Sequence, residues 1–508
     1  MKMKKIFMLL VVVLTTAALA ACSDSDSDNS FNANIKGLSV SPEELSFGRG
    51  ETSKTFLVQS PNEISVTSDA DWVNITVGDA QGVAKVSTVT IDVEPNPYSA
   101  DRTATVTVTS GSESKTVTVT QSGNLVDVID GEVTMDAAAI AKSMYPGWNL
   151  GNTLEATGGE TSWQPTVTSQ AIISKVKEVG FNSVRIPCAW NEHMDENGVI
   201  DAEWINRVRD IVNYCINAGL YVVLNDHWDG GWIEVLGFSK STDSYVPVKE
   251  NYIKAKEDAL KALWTQVANA FAGYGDHLLF AGLNEPFQEY SLFNGRHEEL
   301  TPLLCRYNQA FVEAVRATGG NNAKRTLVVQ GPSTNIDSSV QYMTADKLPE
   351  AAGALMVEIH YYDPGQFCGT FDATGANAFY FWGNGNHSTD HNATYGEESY
   401  MQAQFAKLKT AYTSQGYPVI IGEYAAQQRT IDGDQAKHNA SVKYYYKCIN
   451  QYAINNGVVP FAWDTNDPNS QNGEGGSSTI IDRSKVSLVG VNAMAGILEG
   501  VAAGTWPY

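Results

Sequence analysis

The chain has 508 residues and a formal net charge of −23, which gives length for several buried cores and an expectation of two or three domains. Residues 1–21 carry three lysines and no acid, so their removal deepens the charge to −26. That charge would repel nucleic acid and anionic membrane alike, and it suits a neutral substrate.

The first element is an export signal. Lys2, Lys4 and Lys5 precede an apolar run from Ile6 that ends in Leu19-Ala20-Ala21-Cys22. This reads as a secretory signal over 1–21 with a lipoprotein-type cleavage box, leaving Cys22 lipidated. The run is too short for a membrane span, so the lipid on Cys22 is the one membrane contact expected. The following "SDSDSDNS" has nothing to bury and reads as a solvated acidic tether over 22–36. This N-terminus resembles those of Bacteroidetes lipoproteins, where an acidic stretch after the lipid cysteine accompanies export. The resemblance implies an outer-membrane lipoprotein exposed at the cell surface. Cys188, Cys215, Cys305, Cys368 and Cys448 are scattered without C-x-x-C spacing, which argues against a disulfide framework or a zinc site.

Residues 37–123 are rich in Thr, Val and Ser with period-two alternation, clearest in "TATVTVTS" and "KTVTVTQ" around the turn "GSES". The pattern predicts a small all-β, immunoglobulin-like sandwich with Trp72 in its core. Through "ADWVNITV", "ADRTATVTVTSG" and "VTVTQSG" the segment resembles the Bacteroidetes-associated BACON domain found ahead of carbohydrate-active enzymes. That resemblance implies glycan binding, but no aromatic platform is evident, and a spacer is the expectation.

From 126 to 508 apolar runs alternate with helical stretches, the grammar of a parallel α/β domain. Eight runs can be counted: "GWNLGN", "FNSVRIP", "YVVLNDH", "LLFAGLNEP", "LVVQGP", "LMVEIHYY", "PVIIGEY" and "VVPFAWD". "TSQAIISKVKEVG" and "DALKALWTQVANAFAGY" read as helices between them, the first with an N-cap and a terminal Gly. Eight such units predict a (β/α)8 TIM barrel, whose C-terminal strand ends form the active face.

Two of those ends carry glutamates. Glu285 closes the fourth run, before a proline that cannot extend a ladder, and Glu423 closes the seventh. Either alone suits a solvated or salt-bridged group. Together at one mouth they form a candidate carboxylate pair of the kind glycoside hydrolysis needs, one group protonating the leaving oxygen and the other attacking or activating water.

The motifs "GWNLGNTLEA", "GFNSVRIP", "NDHW", "LNEPF", "HYY", "IIGEY" and "FAWDTN" occur in the order found in family 5 glycoside hydrolases. They most resemble its endo-β-1,4-glucanases and xyloglucanases, over about Ala137 to Tyr508. The resemblance implies that Glu285 is the acid/base and Glu423 the nucleophile, with Asn284 at the sugar's 2-hydroxyl. Arg185 and Tyr362 would sit near Glu423, and His227 and His360 match two further family positions. Trp463 matches the stacking platform, while Trp228 stands where many relatives have a second histidine. Asn152 and Trp228 join Trp463 as the expected substrate-binding residues.

These roles make physical sense. A nucleophile must stay ionised, and Arg185 with a phenol donor from Tyr362 would lower its pKa. An acid/base must hold a proton near neutral pH, which enclosure and a neighbouring carboxylate favour at Glu285. His227 and His360 sit on separate strand ends with no ligand cluster around them, so no metal and no cofactor are expected. The expectation is a retaining endo-β-1,4-glucanase acting as a monomer on a plant cell-wall β-glucan. A β-mannanase or xylanase on the same machinery is the alternative within enzymes, and a catalytically silent glycan-binding lipoprotein the alternative outside them.

Overall fold

A computed structural model describes residues 37–47, 52–82, 85–94, 96, 101–121, 123, 131–234, 249–287, 296–351, 353–369, 375–469 and 476–508. Cys22, the signal segment, the acidic tether and the connection 124–130 lie outside the described residues. The chain divides into two compact units, one built from the segments up to Ser122 and one from Gly123 onward, with Asn96–Asp101 assigned to the second.

The first unit has two four-stranded sheets. One orders Ser39–Ser41, Ser53–Gln59, Val86–Val93 and Val73–Val77; the other orders Glu44–Phe47, Glu113–Gln121, Arg102–Ser110 and Ser65–Ser68. Alternation drives the packing: Ala104, Val106 and Val108 point inward while the threonines between them do not. The expected hairpin is present, with Arg102–Ser110 pairing antiparallel to Glu113–Gln121. Trp72 departs from expectation. It is partly buried against the core, and the Arg102 guanidinium stacks over its ring at 4.1 Å.

In the second unit eight parallel strands close a barrel. In chain order they are Gly147–Asn149, Ser183–Ile186, Tyr221–Asn225, Leu278–Ala281, Leu327–Gln330, Leu355–Tyr361, Val419–Tyr424 and Val458–Ala462. Each predicted run supplied one strand, and the first pairs with the eighth through Gly147 and Phe461. The helix Gln170–Val179 starts where the sequence suggested, with Ser169 as N-cap, and ends at Gly180 with φ 121°. The second predicted helix lies within Glu250–Ala270.

Strand alternation sorts the side chains into two environments. Val222, Leu224, Leu278 and Phe280 pack in the large core shared with the helices, whereas Val223, Leu279, Val328, Met356, Ile420 and Val459 gather in a separate cluster inside the barrel. The helix Ala137–Met144 packs into that inner cluster through Ile140, Ala141 and Met144. Two residues further along the same strand faces, the interior turns polar: Asn149, Arg185, Asn225, Gln330 and Glu358 are all fully buried. An apolar floor therefore carries a polar layer, and the strand ends open above it. The five described cysteines are all free.

Candidate active site

Two irregularities aim the site's side chains. The register of the sixth and seventh strands shifts between Ile359 and His360, bringing His360 opposite Glu423. A second shift, between Ile421 and Tyr424, interrupts the pairing of the seventh strand with the eighth. Such bulges re-aim side chains next to active sites. The fourth strand ends earlier than its apolar run suggested, at Ala281 rather than Leu283. The Leu283 N–H donates to the Gln330 side chain at 2.8 Å instead of a neighbouring backbone carbonyl, and the freed segment carries Asn284 and Glu285 over the barrel mouth.

Arg185 lies at the centre. Its Nη1 donates to Glu423 Oε1 at 2.9 Å and to Asn149 Oδ1 at 3.0 Å, and its Nη2 donates to Asn284 Oδ1 at 2.6 Å. Its Nε lies 2.9 Å from Glu358 Oε1, with both side chains fully buried. The other oxygen of Glu423 accepts the Tyr362 hydroxyl at 2.9 Å. His360 Nδ1 is 2.7 Å from Glu285 Oε1 and 3.7 Å from Glu423 Oε2, and its Nε2 is 3.3 Å from Glu358 Oε1. Oxygens of Glu285 and Glu423 and a nitrogen of His360 all lie within 4.8 Å of one another. The Glu285 side chain keeps 24% exposure against 8% for Glu423, so Glu285 is the carboxyl more open to an incoming water or a leaving alcohol.

Charge follows from these contacts. Burial disfavours a cation at His360, yet the carboxylates of Glu423, Glu285 and Glu358 outweigh it and push its pKa up to about 9. Burial and the Arg185 and His360 cations hold His227 well below the ordinary range, so that imidazole is neutral. Burial and the nearby Glu423 and Glu285 charges raise Tyr362 well above its ordinary value, which keeps the phenol a donor. Glu358 is depressed even though burial opposes its charge, because Arg185, His360 and a 2.6 Å bond from Gln330 favour the anion. Glu423 departs from the sequence expectation: His360, Arg185 and Tyr362 do pull it down, but burial, together with the Glu285 charge, exceeds them and its pKa is raised. Two cations thus face three carboxyls, and the cluster is neutral when one carboxyl holds a proton. A general acid needs that complement.

Of the residues singled out from sequence, Arg185, His227, Asn284, Glu285, His360, Tyr362 and Glu423 converge. His227 Nε2 is 3.9 Å from Glu423 Oε1, and the Trp463 indole stacks on its ring with centroids 5.8 Å apart. Asn152 and Trp228 do not join them. Asn152 braces the loop after the eighth strand by donating to the Thr465 carbonyl at 3.2 Å. The Trp228 indole N–H is buried without a hydrogen-bond partner among the described residues.

Sequence reasoning missed Glu358, Gln330 and Asn149. A signal was present, because Met356, Glu358 and His360 occupy alternate positions of one buried strand and so mark its inward face. Gly422 belongs to the same arrangement. A β-carbon there would collide with Glu358 Oε1 and lie 2.9 Å from His360 Nε2, so the glycine before the nucleophile is the space that the Glu358 carboxylate fills.

A close carboxylate pair with its cations at the C-terminal mouth of a (β/α)8 barrel is the site of a glycosidase. Comparison agrees: residues 149–469 match the family model for cellulase (glycosyl hydrolase family 5), and residues 62–122 match the BACON model. The chain belongs to glycosyl hydrolase family 5, and it is a glycoside hydrolase. It is similar to Endoglucanase A of Paenibacillus barcinonensis, with 33% identity over 72% of this chain and 91% of that protein. A xyloglucan-specific endo-β-1,4-glucanase of Bacteroides ovatus is 30% identical over 98% of this chain and 96% of its own length. Among solved structures, a family 5 xyloglucan-specific β-1,4-glucanase from a ruminal metagenomic library, in complex with XXLG, is 75% identical with a TM-score of 0.72. It covers 73% of this chain and 98% of that one.

Proposed function

We propose that the chain is a retaining endo-β-1,4-glucanase whose preferred substrate is xyloglucan. The observation that carries the chemistry is the Glu285–Glu423 pair, with an oxygen of each inside 4.8 Å. That closeness supports direct attack by Glu423, since inversion leaves room for a water with carboxyls roughly 6.5–9.5 Å apart. Glu423, held by Arg185 and Tyr362, attacks the anomeric carbon while Glu285 gives its proton to the leaving oxygen. Glu285, now ionised beside the His360 imidazolium, then takes a proton from water that releases the sugar from Glu423. The Arg185 bond orients the Asn284 amide, which serves the sugar's 2-hydroxyl, and the Trp463 indole supplies a stacking face. Similarity to two xyloglucan-specific enzymes, one matched over nearly the whole chain, supports the substrate.

A panel of xyloglucan, mixed-linkage glucan, carboxymethyl cellulose, mannan and xylan, read by reducing ends and product length, tests this reading. Xyloglucan cleaved fastest to oligosaccharides is the expected result. Mannan or xylan turned over faster than every glucan would overturn it, as would no release at all.

The reading includes a lipid anchor on Cys22 and display at the outer surface of the outer membrane, supported by residues 1–36 of the sequence. Palmitate labelling that survives Cys22→Ser would refute the anchor. The reading takes the chain as a monomer, and all seven converging side chains come from one chain, so the site needs no residue from a second copy. Within the sandwich the described aromatics are Phe47 and Phe56, both buried, and Trp72 under Arg102, which supports a spacer.

A further inference from the structure

Among the buried carboxylates to which the catalytic reading gives no task, Glu358 stands directly beneath the site. Glu358 is fully buried, three residues from the end of the sixth strand and out of reach of the barrel mouth. Burying an anion is costly unless it is paired and hydrogen-bonded, and this one has two cationic neighbours and accepts from Gln330. Oε1 lies 2.9 Å from Arg185 Nε and 3.3 Å from His360 Nε2, and Oε2 accepts from Gln330 Nε2 at 2.6 Å. Gln330 is fixed in turn by the Leu283 N–H, in the segment that carries Glu285. Its two charged partners are the groups that grip Glu423 and Glu285.

We propose that Glu358 is a positioning residue for the double displacement, anchoring Arg185 and His360 and supplying the negative charge that keeps the imidazole doubly protonated. The inference rests on the roles given above to Glu285 and Glu423. His360 Nε2 faces Glu358 Oε1, and Nδ1 faces Glu285 Oε1 with Glu423 Oε2 3.7 Å away, so whichever of those two glutamates is ionised, a carboxylate oxygen, which accepts only, stands on each side of the ring. The groups facing the ring are Glu285 from the fourth strand end, Glu358 from its own strand, Glu423 from the seventh, Arg185 from the second, His227 from the third and the neighbouring Tyr362.

Charge conservation gives the arrangement its use. In the free enzyme poised for the first step, Arg185 and His360 balance Glu358 and Glu423, and the acid role proposed for Glu285 has that carboxyl carry the transferable proton. In the glycosyl-enzyme Glu423 is a neutral ester and Glu285, having given its proton to the departing alcohol, is the anion. One negative charge has moved between carboxylates, and the sum is unchanged. The imidazolium, 2.7 Å from one and 3.7 Å from the other, serves whichever is ionised. Without the Glu358 charge the same ring would leave the site with a net positive charge, so it would release its proton.

The experiment is nitrogen-15 NMR of the histidine rings across pH in the full chain, with His360 assigned by loss of its signal in His360→Asn. In the unmodified protein the His360 ring should be doubly protonated at pH 7; a neutral ring there overturns the proposal with no other variant needed. In Glu358→Gln the ring should titrate roughly 1–3 pH units lower. The alkaline limb of kcat/KM on xyloglucan should fall with it, and Glu358→Asp should restore both. A folded Glu358→Gln with unmoved titration and pH profile overturns the proposal. The NMR readout needs no turnover, so an error in the substrate or in the catalytic reading would show itself separately in the substrate panel.

Discussion

The Tyr362 hydroxyl and the Arg185 guanidinium hold opposite oxygens of Glu423, each at 2.9 Å. The hydroxyl lowers the Glu423 pKa against a burial effect that raises it. Tyr362→Phe should therefore move the acid limb of kcat/KM to higher pH. A hydrogen bond to a charged group, about 1.5–3 kcal/mol, corresponds to about one or two units. A pH profile that overlays the parent would mean the hydroxyl does not govern Glu423.

The two glutamates should separate kinetically. Glu423→Ala should leave no measurable turnover on any substrate. Glu285→Ala should lose about 10²–10⁴-fold on xyloglucan but keep the first step on aryl glycosides with good leaving groups. Single-turnover glycosylation measured on both substrate types decides, and equal losses would count against this division of labour.

Stereochemistry gives an independent check. An oxygen–oxygen approach inside 4.8 Å predicts that the first product keeps the β configuration. Proton NMR of the anomeric signals in the first minutes of hydrolysis reads this directly, and an initial α signal would refute it.

His360 also links stability to pH. Its folded value, about 9, lies above its ordinary 6.5, so above pH 6.5 the folded state holds a proton that the unfolded chain releases. The stabilisation is complete below pH 6.5 and is lost as pH rises through about 9. The melting temperature should fall over that window in the parent and fall less in His360→Asn. Parallel curves would contradict the linkage.

The N-terminal sandwich should be dispensable for chemistry. A chain beginning near Val126 should keep its rate on soluble xyloglucan, and residues 35–123 alone should migrate unretarded in a xyloglucan-loaded gel. Retardation there would give the sandwich a binding role.

The eight runs, the barrel they close and the pairing of Glu285 with Glu423 were legible because strand ends in this fold carry the chemistry, while the other five converging side chains were legible only through the family 5 motifs that hold them. Glu358 was not, since a lone acid in "LMVEIHYY" looks like part of an apolar run until the alternation is followed inward. The raised pKa of Glu423 was missed for a different reason. Its counter-charges can be named from sequence, but the depth of burial that outweighs them depends on how the bulged strand seats the carboxyl. Asn152 and Trp228 were read from the motifs "GWNLGNTLEA" and "NDHW", and a motif on a loop does not say where its side chain turns.

Gly422 and Glu358 occupy a single volume between two adjacent strands. Residue sizes at these positions are consequently traded against each other: a methyl group at 422 becomes admissible only when the side chain at 358 shrinks to something like serine, and the full glutamate requires a bare backbone opposite. Position 422 cannot take a side chain in a library while Glu358 is kept, so redesign of this polar layer should treat the two codons together. Divergence within such barrels would then proceed through paired exchanges at these sites, with the nucleophile one residue away carried along unchanged.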